Sequence, residues 1–219
     1  MPRTRLLLAS QSPRRRELLT LLAIPFDSAS PNVAEDFRMG ETPAALVARL
    51  SQAKSRAVAP PSNGIVIACD TVVSLKGELL GKPNDATEAT AMLRRLRECP
   101  HTVHSSVTLW EPAADRVLTE VIETQVVMRP YTAAEVSAYV ASGDPLDKAG
   151  AYAIQHPEFN PVAEIKGCYT NVMGLPLCHL ARSLHAWKVV LSYEAIPAAC
   201  QSHTGYHCTA YADILASPV

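Results

Sequence analysis

The chain of 219 residues is poor in aromatic side chains, nearly balanced in charge and without an apolar run long enough to span a membrane. Each shortage excludes something. Aromatic residues make up 5%, and none precedes Phe26, so the arginines near the N-terminus have no stacking platform for single-stranded nucleic acid. A net charge of −1 provides no global field to attract nucleic acid or an acidic membrane. Any anion site must therefore be local. The first residues lack the apolar stretch and small-residue cleavage site of a signal peptide, so a cytoplasmic location is expected. Six cysteines are scattered through a chain too large to need a disulfide framework, and they read as reduced thiols. Several catalytic signatures are missing as well. There is no Gly-x-Ser-x-Gly elbow. Val72 stands two places after Asp70, where an aspartyl-nucleophile phosphatase would carry a second aspartate. The segment Gly77 to Pro83 is one residue short of a P-loop, and Pro83 occupies the position of the magnesium-binding hydroxyl.

What is present is an ordinary globular composition, 48% hydrophobic and 19% charged, with length enough for one sizeable core. Leu6 to Ala9 reads as a strand, followed by a hydroxyl-rich turn and a helix over Arg15 to Leu22. Pro25 to Ala29 is a second short strand. Thr42 and Pro43 have the cap and first-turn chemistry of a helix that runs toward Ala59. Ile65 to Val73 reads as a buried strand, with Lys76-Gly77 turning it back into Glu78 to Leu80. Asp85/Glu88 and Thr132/Glu135 have capping-box spacing. Thr102 to Trp110 and Val117 to Met128 form an antiparallel pair. Tyr152 to Gln155 and Val162 to Ile165 read as short strands, and Leu175 to Trp187 as an amphipathic helix. Strands and helices mix without a strict βαβ rhythm, so the expected architecture is α/β, a mixed sheet flanked by helices.

The candidate chemistry begins at Ser10-Gln-Ser-Pro-Arg-Arg-Arg16. A helix that opens on arginines sets positive charge against the positive end of its dipole, a conflict that a nearby anion removes. Hydroxyls, backbone N–H groups and guanidinium forks at one helix N-terminus make a phosphate site, although a basic triplet alone also suits a solvated turn. Asp70 ends an apolar run, where a buried carboxylate needs a partner, a metal or a catalytic task. Lys82, stiffened between Gly81 and Pro83, is a candidate point-charge phosphate ligand; alone it reads as a solvated loop lysine. Gln155 presents an amide able to donate to and accept from a base edge. Asp147 and Lys148 suit either an internal ion pair or a substrate grip. Cys200, His203, His207 and Cys208 are zinc-ligand types at spacings unlike a finger or ribbon, and the default for that segment is a loose tail.

Together the segments LASQSPRRRELL, Glu35 ahead of GETPAALVARLSQAK, ACDTVV, LLGKP, GDPLDKAGAYAIQ and GCYTNVMGLPL resemble the Maf family of nucleotide pyrophosphatases, over about Leu6 to Leu184. The Gln155 segment resembles the branch acting on thymidine and uridine triphosphates. The resemblance implies a curved mixed sheet with two lobes around a deep cleft, related to inosine triphosphatases. It implies cleavage of dTTP and UTP, with modified pyrimidine nucleotides as further candidates, between the α and β phosphates, giving the monophosphate and pyrophosphate. By position, Asp70 is the implied base, Arg14, Thr71 and Gln155 choose the substrate, and Arg15, Lys54 and Lys82 neutralise phosphate, with Ser12 beside them. Glu35 and Asp70 are the implied ligands of magnesium or manganese. A homodimer is suggested, with no nucleic-acid or membrane partner. A nucleotide-binding regulator of cell division without turnover is the alternative. Residues 1–187 form the implied catalytic domain, and 188–219 an extension with no counterpart in the family pattern. Three departures stand out: Asn32-Val-Ala34 lacks extra acidic residues before Glu35, Lys166 stands where an acidic or neutral residue is commoner, and Cys168 replaces a usual serine.

Overall fold

The computed structural model describes residues 4–219. One seven-stranded mixed sheet organises them: β1 (Arg5–Ala9), β2 (Phe26–Ala29), β3 (Gly64–Leu75), β4 (Glu78–Leu80), β5 (Pro100–Glu111), β6 (Arg116–Met128) and β7 (Val162–Lys166). The order is β2-β1-β3-β5-β6-β7, with β4 also pairing β3. β1 runs parallel to β2 and β3, and all other pairs are antiparallel. The helices are α1 (Pro13–Thr20), α2 (Pro43–Arg56), α3 (Ala86–Leu96), α4 (Ala133–Ala141), α5 (Tyr169–Val172), α6 (Leu177–Ala186), α7 (Ile196–Thr204) and α8 (Tyr211–Ala216).

The registers create the cleft. On one side β3 pairs β1 only through Ala68 and resumes with β4 at Val73. On the other side it pairs β5 continuously from Val66 to Ser74. Cys69 to Val72 therefore face a gap in the sheet, beside the carboxyl end of β1 and the start of α1. A crevice at the carboxyl ends of parallel strands is where open sheets bind ligands. Alternation along β3 then sends Asp70 to one face and Thr71 to the other. The face of Asp70 also carries Val72, packed with Leu46, Val47 and Leu50 of α2. The opposite face carries Ile65, Ile67 and Cys69, packed in the main core with Leu18 and Leu19 of α1 and with α3 and α6.

Local signals place the ends of these elements. Ser12, Thr42, Asp85 and Thr132 all cap helices through their side-chain oxygens, each such cap contributing about 1 kcal/mol. At Thr132 the capping box is reciprocal; at Asp85 it is not, because Glu88 turns its carboxylate to Asn84. α1 spans Pro13 to Thr20 rather than Arg15 to Leu22, since Pro13 is preset for a first helical position. α2 ends at Arg56, three residues before the expected limit at Ala59. α6 begins at Leu177 rather than Leu175: the separate turn of α5 precedes it, and the Thr170 hydroxyl accepts the Leu177 N–H at 3.0 Å.

Two expectations fail outright. Tyr152 to Gln155 is not a strand. Gly150 at φ 70° and Ala151 at φ 61° turn the chain left-handed, and the backbone follows tight turns instead. A side chain at Gly150 would meet Val73 at 3.0 Å as well, so glycine is needed twice over. Nor is the segment after residue 187 a loose tail. It folds as α7 and α8 against α6, with Ile196 and Cys200 buried in the main core. Arg182 of α6 donates to the Ile214 carbonyl at 3.0 Å, and Tyr193 to that of Leu215 at 2.8 Å. Below this seam Glu120 of β6 accepts hydrogen bonds from His179 (2.7 Å), Arg182 and Ser183 (3.2 Å). His203 faces Glu17 of α1 at 3.6 Å. Among the described residues no group of three or more His, Cys, Asp and Glu is disposed to hold a metal, the tail included.

Candidate active site

A cavity of about 340 Å³ opens at the gap in the sheet. Ser12, Arg14, Arg15, Glu35, Lys54, Asp70, Thr71, Lys82 and Gln155 all line it. The candidate site residues thus come together from three elements, α1, α2 and β3, and four connecting segments, in a space of the size that binds small molecules.

The centre is ionic. Lys54, on the last turn of α2, reaches Asp70 Oδ1 and Glu35 Oε1, both at 2.5 Å from Nζ. Asp70 is almost fully buried and Glu35 is half exposed. Burial pushes the Asp70 carboxyl above its ordinary range, against the pull of Lys54 and Arg15. Partial burial also acts to raise Glu35, but the hydrogen bond and charge of Lys54, with Lys82 and Arg15, hold it below the usual value. One carboxylate therefore gives up its proton readily while its neighbour takes one readily. Among the described residues Lys82 makes no ion pair, and the Gln155 amide makes no side-chain hydrogen bond; both are exposed and line the cavity.

The arginines divide their work. Arg14 spans the opening to Asp147 at 3.2 Å. Arg15 is committed to the protein: it donates to the carbonyls of Gly174 (2.8 Å) and Cys69 (2.9 Å) and to Thr71 Oγ1 (3.1 Å). It pins the α5–α6 turn onto β3 and directs its charge along the cavity floor. Gly174 is glycine because the backbone there needs a φ of 101°. Thr71 is held in turn by Ser105 at 2.8 Å. Ser12 lines the cavity while its hydroxyl caps α1. The conflict between first-turn arginines and the helix dipole is relieved by Asp147 and by carbonyls.

On the far wall, buried Lys148 ties Asp144 (2.8 Å) to Asp147 (2.6 Å), so that pair is internal. Tyr139 donates to Asp144 at 2.7 Å and accepts the Ala153 N–H at 3.0 Å, which fixes the approach to Gln155. The contributions of Tyr139 and Gly174 escaped the sequence reading, because each acts through partners distant in the chain. The only local hint was Gly174 between Met173 and Leu175.

Glu35 and Asp70 also test the implied cation. Two carboxylates that share one positive group converge closely enough to share an ion, and an all-oxygen donor set suits magnesium or manganese. With no third protein ligand of that kind among the described residues, water and substrate oxygens would have to complete the shell. The donor set fits.

Fold and site together define an α/β protein with a cation-lined cleft around a buried carboxylate. The sequence profile described as Maf-like protein matches residues 5–187, and the chain belongs to that family. It is 48% identical over 183 residues to a dTTP/UTP pyrophosphatase of Salinibacter ruber, covering 83% of this chain and 90% of that one. It is 43% identical over 182 residues to a protein of the same name in Geobacter metallireducens, covering 83% and 95%. A nucleoside-triphosphatase / dITP/XTP pyrophosphatase structure from Mycobacterium abscessus overlaps 59% of this chain and 77% of its own at 15% identity, with a TM-score of 0.38, a distant likeness. The extension from 188 lies beyond the family match. Among the described residues no helix is long and apolar enough to cross a membrane.

Proposed function

We propose that the chain is a nucleoside triphosphate pyrophosphatase that hydrolyses dTTP and UTP to the monophosphate and pyrophosphate. The observation that carries this is the convergence of Asp70, Glu35, Lys54, Lys82 and Arg14 on one cavity with Gln155 at its edge. The names and similarity of the relatives supply the reaction and the bases.

Asp70 takes the proton of a water whose oxygen attacks the α phosphorus. The bond from that phosphorus to the bridging oxygen breaks, and pyrophosphate leaves with the bonding electrons. Lys82 and Arg14 neutralise the polyphosphate, Arg14 exchanging Asp147 for phosphate. Arg15 and Thr71 hold the floor in shape. Lys54 keeps Asp70 ionised in spite of its burial. Gln155 reads the donor and acceptor pattern that thymine and uracil share. Glu35 and Asp70 would hold a divalent cation, which would supply further charge neutralisation at the phosphates. Positioning and electrostatics carry most of such a reaction.

Hydrolysis of dTTP in water enriched in heavy oxygen, with magnesium or manganese, tests the reading. The expected products are labelled dTMP and unlabelled pyrophosphate. Release of orthophosphate, label in pyrophosphate, or no turnover of dTTP or UTP would overturn it.

A further inference from the structure

Four of the six cysteines meet where the extension packs on the family-matched region. Cys168, in the turn from β7 to α5, and Cys178 on α6 belong to the matched region. Cys200 on α7 and Cys208 in the turn from α7 to α8 belong to the extension. All four are free thiols and line one small pocket of about 10 Å³, room for about one water molecule. Thr170 stands between two of them: its hydroxyl lies 3.3 Å from the Cys168 thiol and also hydrogen-bonds the Cys200 thiol. Among the described residues no three of these groups surround a common point as metal ligands do, so the chemistry open to them is between pairs of sulfurs.

The four thiols differ in access. Cys168, Cys178 and Cys200 are buried, and burial raises each above its ordinary pKa, Cys200 to about 12, so none is a ready thiolate. Cys208 is partly exposed and is the sulfur that solvent reaches first. Its segment is fixed from both sides. The Cys208 N–H donates to Gln201 Oε1 of α7 at 3.1 Å, and Tyr206 stacks on Tyr169 of α5 with centroids 4.9 Å apart. That stacking lays the chain from Tyr206 to Cys208 alongside the turn that carries Cys168.

We propose that this pocket is a site of reversible thiol oxidation, in which a peroxide joins Cys208 of the extension to Cys168 by a disulfide. The Cys208 sulfur attacks one peroxide oxygen; the O–O bond breaks, one water leaves with the thiol proton, and a sulfenic acid remains. The Cys168 sulfur then attacks the sulfenic sulfur, the S–O bond breaks, and a second water leaves. Two thiols and one hydrogen peroxide give one disulfide and two waters, the sulfurs giving up two electrons. The bond closes a long loop and fastens the extension to the turn before α5, which constrains the unfolded chain. This chemistry is independent of the reaction in the cleft.

The test treats the full chain with hydrogen peroxide, blocks the remaining thiols and maps tryptic peptides without reduction. Cleavage after Lys166, Arg182 and Lys188 puts Cys168 and Cys178 in one peptide and Cys200 and Cys208 in another. These two peptides should appear joined through Cys168 and Cys208, and dithiothreitol should separate them. The urea midpoint should be higher in the oxidised protein than in the reduced one, a shift that Cys208→Ser abolishes. Cys168→Ser should abolish the link and Cys178→Ser should retain it. Cys99, partly exposed but outside the pocket, should be recovered as a blocked free thiol. The wild-type map decides the pairing even where a variant fails to fold. A disulfide within either peptide, a link between two chains, a link that survives Cys168→Ser or Cys208→Ser, or no oxidation of Cys208 would overturn the proposal.

Discussion

Two ionic clusters lie two strands apart on opposite faces of the sheet, one against α6 and one against α2, and put the same kinds of group to different uses. At the seam with the extension, Glu120 accepts from His179, Arg182 and Ser183, and its carboxyl lies below the ordinary value. Burial there acts to raise it, and the donors outweigh burial. In the cleft, Asp70 has Lys54 as its one side-chain hydrogen-bond donor, borders open cavity, and sits above the ordinary value because burial wins. A buried carboxylate surrounded by donors holds a fold together. One left short of donors beside a cavity can take a proton. The difference between structure and catalysis here lies in the number of donors per carboxylate, not in the residue types.

Four changes would break or sharpen that contrast. The largest is Lys54→Met, which removes the charge that keeps Asp70 ionised; we expect kcat/KM for dTTP to fall by about 10²–10³, as when one electrostatic stabiliser of a transition state is removed. Next is Glu120→Ala, which strands the Arg182 guanidinium. It should destabilise the fold by about 3 kcal/mol in urea titration, with little change in turnover of the folded enzyme. Equal loss of activity would mean that the two clusters are coupled.

The pH response should then separate them by sign. Glu120 has a folded pKa below its ordinary 4.5, so its contribution to stability is complete above that pH and is lost as pH falls through the folded value. Glu120→Gln should therefore lie furthest below wild type at neutral pH and converge with it in acid. Asp70 has a folded pKa above its ordinary 3.8, so its ionised form lowers stability, and this penalty fades as pH falls through the folded value. Unfolding midpoints across pH 3 to 8, at about unit intervals, read both effects. The smallest change is Asp147→Asn, which frees Arg14 from a partly exposed pair. KM for dTTP should drop by no more than about fivefold, the range of surface ion pairs.

Much of this was legible along the chain, because the strand ends, caps and cleft residues carry local signals. Thr42-Pro43 and Thr132-x-x-Glu135 each state a helix start within four residues, and both stand. The apolar run into Asp70 gave the buried strand and its functional end. Tyr152 to Gln155 was misread because the alternation looks extended, while Gly150 and Ala151 turn left-handed just before it. The extension was expected to be loose because its Cys/His spacings fit no metal module and the family pattern has no counterpart for it, although apolar residues are frequent in it. Its order comes from partners far away, Ile214 with Arg182 and Tyr206 with Tyr169. The commitment of Arg15 to Gly174, 159 residues away, has no local signal at all.

The central claim is that Asp70 serves turnover rather than stability. Asp70→Asn, assayed for pyrophosphate release and for its urea midpoint in one preparation, tests it directly. Turnover should fall by about 10²–10⁴, the worth of a general base, with a midpoint no lower than wild type. A lowered midpoint with turnover intact would contradict it.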